Sequence, residues 1–255
     1  MRGLEGKLVA VVGGASGMGR ATAVRLIEEG ARVAILDRDG DTAKAVAASL
    51  GDRASATEVD ITDEASVSGA FQTIAGSDVL HAAINTAGVG FSAPIANQDI
   101  ADFRRVYEVN VFGLYNLIRA ESAILGPGGS IVNFASTNAR QVGENISAYA
   151  SSKAAVVSLT EVAALELAPR GIRVVGVGPA LTDTPMVRRF LENSSVREGF
   201  LSNIPLGRPA DPAEIAALAT FLVSADADYL TGQTFYADGG SLLLRYPNAR
   251  ERTPA

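Results

Sequence analysis

The chain has 255 residues, 47% of them hydrophobic and 20% charged, with a formal net charge of −6, one histidine and no cysteine. This balance describes a globular protein and excludes disulfides, thiolate or multi-histidine metal sites and a cysteine nucleophile. The acidic balance argues against nucleic acid or an anionic membrane surface as a partner, and no apolar run reaches the roughly 18 residues of a membrane span.

Short apolar, β-branched runs alternate with longer helical patterns along the whole chain. That alternation predicts a single doubly wound α/β domain, a seven-stranded parallel sheet with helices on both faces. Strands are expected over 7–12, 32–37, 54–60, 79–85, 130–135, 173–177 and 233–236. Helices are expected over 18–29, 42–50, 64–75, 101–124, 147–168 and 212–224. Gly30, Gly51, Gly76 and Gly171 fall just past helical stretches, where a left-handed cap is wanted. Asp63 and Asp211 precede helices as caps, the second followed by Pro212 in the first turn. The first strand follows the N-terminus with no charged-then-apolar leader, so a cytoplasmic location is expected.

The first strand runs into Gly13-Gly14-Ala15-Ser16-Gly17-Met18-Gly19 and then a helix. Glycines at 13, 17 and 19 permit a tight turn, close approach to a pyrophosphate and close helix–strand packing, while the helix N-terminus offers free N–H groups. Asp37 ends the second strand, where a carboxylate can accept hydrogen bonds from the adenosine ribose hydroxyls and repel a 2′-phosphate. NAD is therefore favoured over NADP, although Arg38 beside it could hold a phosphate. His81 lies early in its strand, away from the carboxyl ends where ligands bind, and is read as structural.

Tyr149 and Lys153 carry the most chemistry. Residues four apart share one helical face, and an ammonium beside a phenol favours the phenolate, which suits general acid–base work. Only three of the 22 basic residues are lysines (Lys7, Lys44 and Lys153), so a lysine inside an Ala/Val/Ser-rich helix looks chosen for its compact charge. Asparagine is a poor mid-helix residue, yet Asn110 sits inside a long helical pattern. The stretch 182–208, with Pro185 and Pro205 around a short helical patch, reads as an excursion from the sheet. Past Leu244 the tail 242–255 turns polar.

With these residues in place, the chain resembles the short-chain dehydrogenase/reductase family over nearly its whole length. The glycine motif, Asn85-Thr86-Ala87-Gly88, Asn110, Ser136, Tyr149-Ala150-Ser151-Ser152-Lys153 and Gly178-Pro179 occur in the family's order and spacing. The resemblance implies hydride transfer between NAD(H) and an alcohol/ketone pair, with Tyr149 as acid–base and Ser136 bonding the substrate oxygen. Lys153 would hold the nicotinamide ribose, and Asn110 would position a relay water. Ser16, Gly17, Met18 and Gly19 belong to the phosphate loop. Asp60 and Ile61 match the segment around adenine; Asn85, Ala87 and Gly88 match the segment beside the adenosine ribose. Pro179, Thr182 and Thr184 match the nicotinamide side.

The resemblance also implies a homotetramer built around the helices near 101–124 and 147–168, while the excursion over 182–208 is itself read as a lid over the substrate. Met186, Val187, Phe190, Leu191, Phe200 and Leu201, with Val89, Phe91, Val142 and Ile146, suggest a largely apolar substrate. Two departures stand out. Val12 replaces the family's usual threonine, removing a hydrogen bond to a neighbouring strand, and Pro179-Ala180 replaces the usual Pro-Gly. An NADPH-dependent 3-oxoacyl carrier reductase and a non-catalytic dinucleotide sensor are the alternative readings.

Overall fold

Buried β-branched and aliphatic runs explain why the strands gather at the centre of the molecule, since parallel strands covered on both faces need no alternation. The computed structural model describes residues 1–185, 187–188 and 192–244. The strands are β1 (Leu8–Val12), β2 (Arg32–Asp37), β3 (Ala54–Glu58), β4 (Leu80–Asn85), β5 (Ser130–Phe134), β6 (Arg173–Pro179) and β7 (Thr234–Ala237). They form one sheet in the order β3-β2-β1-β4-β5-β6-β7, every pair parallel. Strand order reverses between β1 and β4, and a crevice opens there at the carboxyl ends.

Helices α1 (Gly17–Glu28), α2 (Gly40–Leu50), α3 (Glu64–Ser77), α4 (Ile100–Tyr107), α5 (Leu114–Ile124), α6 (Ser147–Leu167), α7 (Ser194–Leu201) and α8 (Pro212–Val223) surround the sheet. One core cluster, including Phe71, Leu117, Ile131 and Val156, lies on the face covered by α3, α5 and α6. The other, including Leu26, Ile35, Val132 and Leu222, lies under α1 and α8. Asp63 accepts from the Ala65 N–H, and Asp211 forms a reciprocal cap with Glu214, as expected of those positions.

Two expectations need correction. The segment 101–124 is not one α-helix: α4 and α5 are separated by a π-helical stretch, Glu108–Gly113, that contains Asn110. A Cβ at Gly113 would lie 2.7 Å from Ile61 Cγ1, so the glycine admits Ile61 against the widened turn. Gly76 is not a left-handed cap, because α3 runs through it to Ser77 and ends on extended Asp78. The Asp78 carboxylate accepts from Val79 N–H and pairs with Arg32, which fixes the stop. Gly30, Gly51 and Gly171 do take positive φ, at 87°, 81° and 71°.

Candidate active site

The crevice is walled first by main chain. Gly13 has φ +76°, and a Cβ there would stand 2.7 Å from Ala87 N; one at Gly19 would stand 2.1 Å from Gly13 O. The loop can pack this tightly only without side chains. Thr86 Oγ1 donates to Val12 O (2.8 Å) and lies 3.2 Å from Gly13 O, so β4 supplies a side-chain tie to the loop where Val12 cannot. Asp37 Oδ2 accepts from Ala15 N–H at 3.0 Å, holding the loop from the other side. The loop is clamped between β2 and β4.

The free N–H groups of α1 are the next feature. Asp39, Asp63, Asp99 and Asp211 cap α2, α3, α4 and α8 with their carboxylates. Ser16 makes no side-chain cap at α1, whose first turn carries no acidic residue. An unneutralised helix N-terminus behind a glycine loop suits a diphosphate. The cleft in front of it has a volume of about 270 Å³ and is lined by Gly13, Ser16, Gly17, Met18, Gly19, Asp37, Arg38, Asp60, Ile61, Ala87 and Gly88, among others. The Asp60 carboxyl is held below its ordinary range by hydrogen bonds from Thr62, with Arg38 adding a smaller pull. Asn116 Nδ2 donates to Ile61 O at 3.0 Å and fixes that wall.

A second cavity, of about 380 Å³, continues from the first. Tyr149, Ser136, Pro179 and Thr182 face it, with Met18 and Thr184 on the side it shares with the cleft. Ser136 Oγ accepts from Asn138 N–H (3.1 Å) and lies 3.4 Å from Asn138 Oδ1, so the strand-end serine also starts a 3₁₀ turn. Lys153 is buried on α6; its Nζ donates to Phe134 O at 2.7 Å and lies 5.9 Å from the Tyr149 ring centroid. Burial lowers the Lys153 ammonium to about 8, which still leaves it protonated at neutral pH. A Cβ at Gly88 would stand 3.2 Å from that Nζ and 3.3 Å from Asn110 Oδ1, so both groups sit directly behind the cleft wall.

Asn110 does not line either cavity. Its Oδ1 accepts from Val89 N–H (2.8 Å), and its Nδ2 donates to Val89 O (2.9 Å) and Ser152 Oγ (3.0 Å), tying the loop after β4 to α6. Asn85 is likewise turned away from the cleft, with its amide buried at the carboxyl end of the central strand β4; Thr86 lines the cleft instead. The loop after β6 is fixed despite Ala180 replacing glycine. Ala180 N–H donates to Ala237 O, Ala210 N–H to Leu181 O and Thr182 Oγ1 to Ala180 O.

The apolar residues expected around the substrate are only partly gathered. Phe91, Ile146, Val187 and Phe200 line the cavity, Val89 lines the dinucleotide cleft, and Leu201 lines neither. Val142 is 71% exposed, since its loop turns outward. Met186, Phe190 and Leu191 lie outside the described residues. Sequence reading missed Asn138, Gln141 and Asn203, which give this mostly apolar cavity a polar side. Gln141 Nε2 donates to Ser241 O (3.1 Å) and thereby fastens the C-terminal turn against the cavity. His81 stands half-buried early in β4; burial first, then Lys7 and Arg173, lower its pKa, in keeping with a structural role.

The family model described as Enoyl-(Acyl carrier protein) reductase matches residues 13–241. A 2,5-dichloro-2,5-cyclohexadiene-1,4-diol dehydrogenase of Sphingobium indicum is 37% identical, covering 94% of this chain and 98% of its own. A 3-alpha-(or 20-beta)-hydroxysteroid dehydrogenase of Mycobacterium bovis is 35% identical over 94% of this chain and 90% of its own. The crystal structure of a 3-ketoacyl-(acyl-carrier-protein) reductase from Brucella melitensis complexed with NADH superposes with a TM-score of 0.85. It is 34% identical and covers 94% of this chain and 99% of its own. The chain belongs to the short-chain dehydrogenase/reductase family, and with it to the oxidoreductases that act on CH–OH donors through a nicotinamide dinucleotide. The glycine cradle and the uncapped start of α1 fit that cofactor.

Proposed function

We propose that this protein moves hydride between NAD(H) and a secondary alcohol/ketone pair, with Tyr149 handling the proton. The observation that carries the reading is the half-buried Tyr149 ring on the cavity, with the buried Lys153 ammonium one helical turn on, 5.9 Å from the ring centroid. The bound dinucleotide supplies hydride acceptance and donation. The Lys153 ammonium favours the phenolate of its neighbour, so Tyr149 can take the proton of an alcohol or return it to a ketone oxygen. Ser136 Oγ, on the cavity wall, would give up its long contact with Asn138 Oδ1 to donate to the same substrate oxygen. Phe134 O holds one hydrogen of the Lys153 ammonium and leaves the others for the ribose hydroxyls. Because the Asn110 amide is committed to Val89 and Ser152, a relay water would bind its main-chain carbonyl in the π turn.

The adenosine end favours NAD over NADP, since Asp37 and Asp60 put two carboxylates there against one Arg38 guanidinium. The chain acts as one catalytic domain with 182–208 as a lid over the substrate, and Val187, Phe200 and Ile204 on the cavity support that role. Exposed Phe112 and Tyr115, and Val162 and Leu165 on α6, support assembly into a homotetramer through these helices. A cytoplasmic location is part of this proposal; among the described residues no helix is long and apolar enough to cross a membrane.

The test is a screen of secondary alcohols with NAD and ketones with NADH, read as absorbance of the reduced nicotinamide. The wild type is expected to turn over members of both sets. Tyr149→Phe should lose at least about a thousandfold in kcat while its NADH affinity stays within about threefold. Retention of most activity by Tyr149→Phe would refute the assignment.

A further inference from the structure

Helix α5 carries its apolar stripe at Leu114, Leu117 and Ile118, and the next residue of that stripe is Glu121. Its side chain is completely buried on the core face, a placement charged residues almost never take without partners. Asn85 Nδ2 donates to Glu121 Oε2 at 3.1 Å and to Asn133 Oδ1 at 3.0 Å. Asn133 Nδ2 donates to Thr160 Oγ1 at 3.1 Å, and Thr160 Oγ1 in turn donates to Val156 O at 2.7 Å. One polar chain thus joins α5, β4, β5 and α6 under the crevice. Asn85 and Asn133 stand side by side in the β4–β5 register.

At the β4 end, Thr86 is fastened to Val12 and Gly13 of the glycine loop, and Gly88 closes over the Lys153 ammonium. Asn85 begins this segment, and Glu121 is its anchor on the far side.

We propose that Glu121 is a positioning residue for the dinucleotide cleft, holding Asn85 and through it the segment Thr86-Ala87-Gly88 in register with the glycine loop. Burial pushes its carboxyl up to about 8, with the Asn85 hydrogen bond pulling the other way, so at neutral pH the group is an uncharged acid. An uncharged acid also brings a donor to a pocket where Asn85 Oδ1 and Glu121 Oε1 have no partner among the described residues. The inference rests on the dinucleotide reading above.

The experiment compares NADH affinity, read as the change in nicotinamide fluorescence on binding, with steady-state KM and kcat in Glu121→Gln and Glu121→Leu. Glutamine keeps the shape and neutral polarity and is expected to stay within about twofold of wild type. Leucine removes the anchor and is expected to raise Kd and the dinucleotide KM by about tenfold or more, with kcat at saturation within about threefold. A leucine variant with wild-type affinity, a glutamine variant as impaired as leucine, or a fall in kcat at unchanged KM would each overturn the proposal. Should the leucine variant fail to fold, Glu121→Asp withdraws the carboxyl by one methylene and is expected to weaken NADH in the same way. Wild-type affinity in that variant would overturn the proposal too. Wild-type protein that binds no NADH would instead bring down the dinucleotide reading itself.

Discussion

The dinucleotide cleft and the substrate cavity share a rim but are built from different material. The floor of the cleft is backbone, with glycines at 13, 17 and 19, the open N-terminus of α1, and two ties from Thr86 and Asp37, while Arg38, Val59, Asp60 and Ile61 form its other wall. The cavity is mostly side chains drawn from the loops after β4, β5 and β6, the start of α6, α7 and the C-terminal turn. Such a floor tolerates few changes at Gly13 and Gly19, where an added Cβ would meet main chain. A side-chain site can be relined while the fold stands.

The largest effect that would sharpen this contrast comes from Gly13→Ala. The residue holds φ +76°, and its new Cβ would press on Ala87 N at 2.7 Å. Backbone strain of about 1–3 kcal/mol plus the displaced loop should weaken NADH binding by more than about tenfold, measured by titration. Unchanged affinity would break the claim that the cleft is set by main-chain contact. A smaller effect is expected at the adenosine end. Asp37→Ala should narrow the ratio of kcat/KM for NAD over NADP by about tenfold, and a wild type that prefers NADP would reverse the reading of Asp37.

An effect on stability and not on binding lies beneath both sites. The Glu121 carboxyl has an ordinary pKa of 4.5 when unfolded and about 8 when folded, because burial disfavours its charge. The folded state therefore binds the extra proton, and this stabilisation is complete below pH 4.5 and is lost as pH rises through 8. Across that window the group withdraws on the order of 5 kcal/mol. Glu121→Gln should show a flatter stability–pH curve in denaturant titrations. Parallel curves for the two proteins would contradict a buried titrating acid.

How much of this was legible in the sequence follows the same division. Gly13, Gly17, Gly19 and Asp37 announce the cleft because a main-chain site writes itself as fixed spacing of residues without side chains. Tyr149 and Lys153 were legible because one helix carries both. Asn138 and Gln141, from the turn after β5, and Asn203, from beyond α7, were not, since two distant segments converge there and these types suit ordinary loops equally well. Asn85 appeared in a motif, yet only the structure shows its side chain turned inward to Glu121. The signal that could have found Glu121 was a lone acid on the apolar stripe of α5, between Ile118 and Leu125. The π turn was not legible, because 101–124 reads as one continuous helical pattern and only the backbone shows the widened turn at Glu108–Gly113.

The central claim is that the Lys153 ammonium prepares the Tyr149 phenol for proton exchange. It is tested most directly by carbon-13 NMR of ζ-labelled tyrosine in the NAD-bound protein, with Tyr149→Phe assigning the resonance. The Tyr149 signal is predicted to titrate well below the ordinary value of about 10 and to move upward in Lys153→Met. A phenol that titrates at the same pH with and without the lysine would contradict the account.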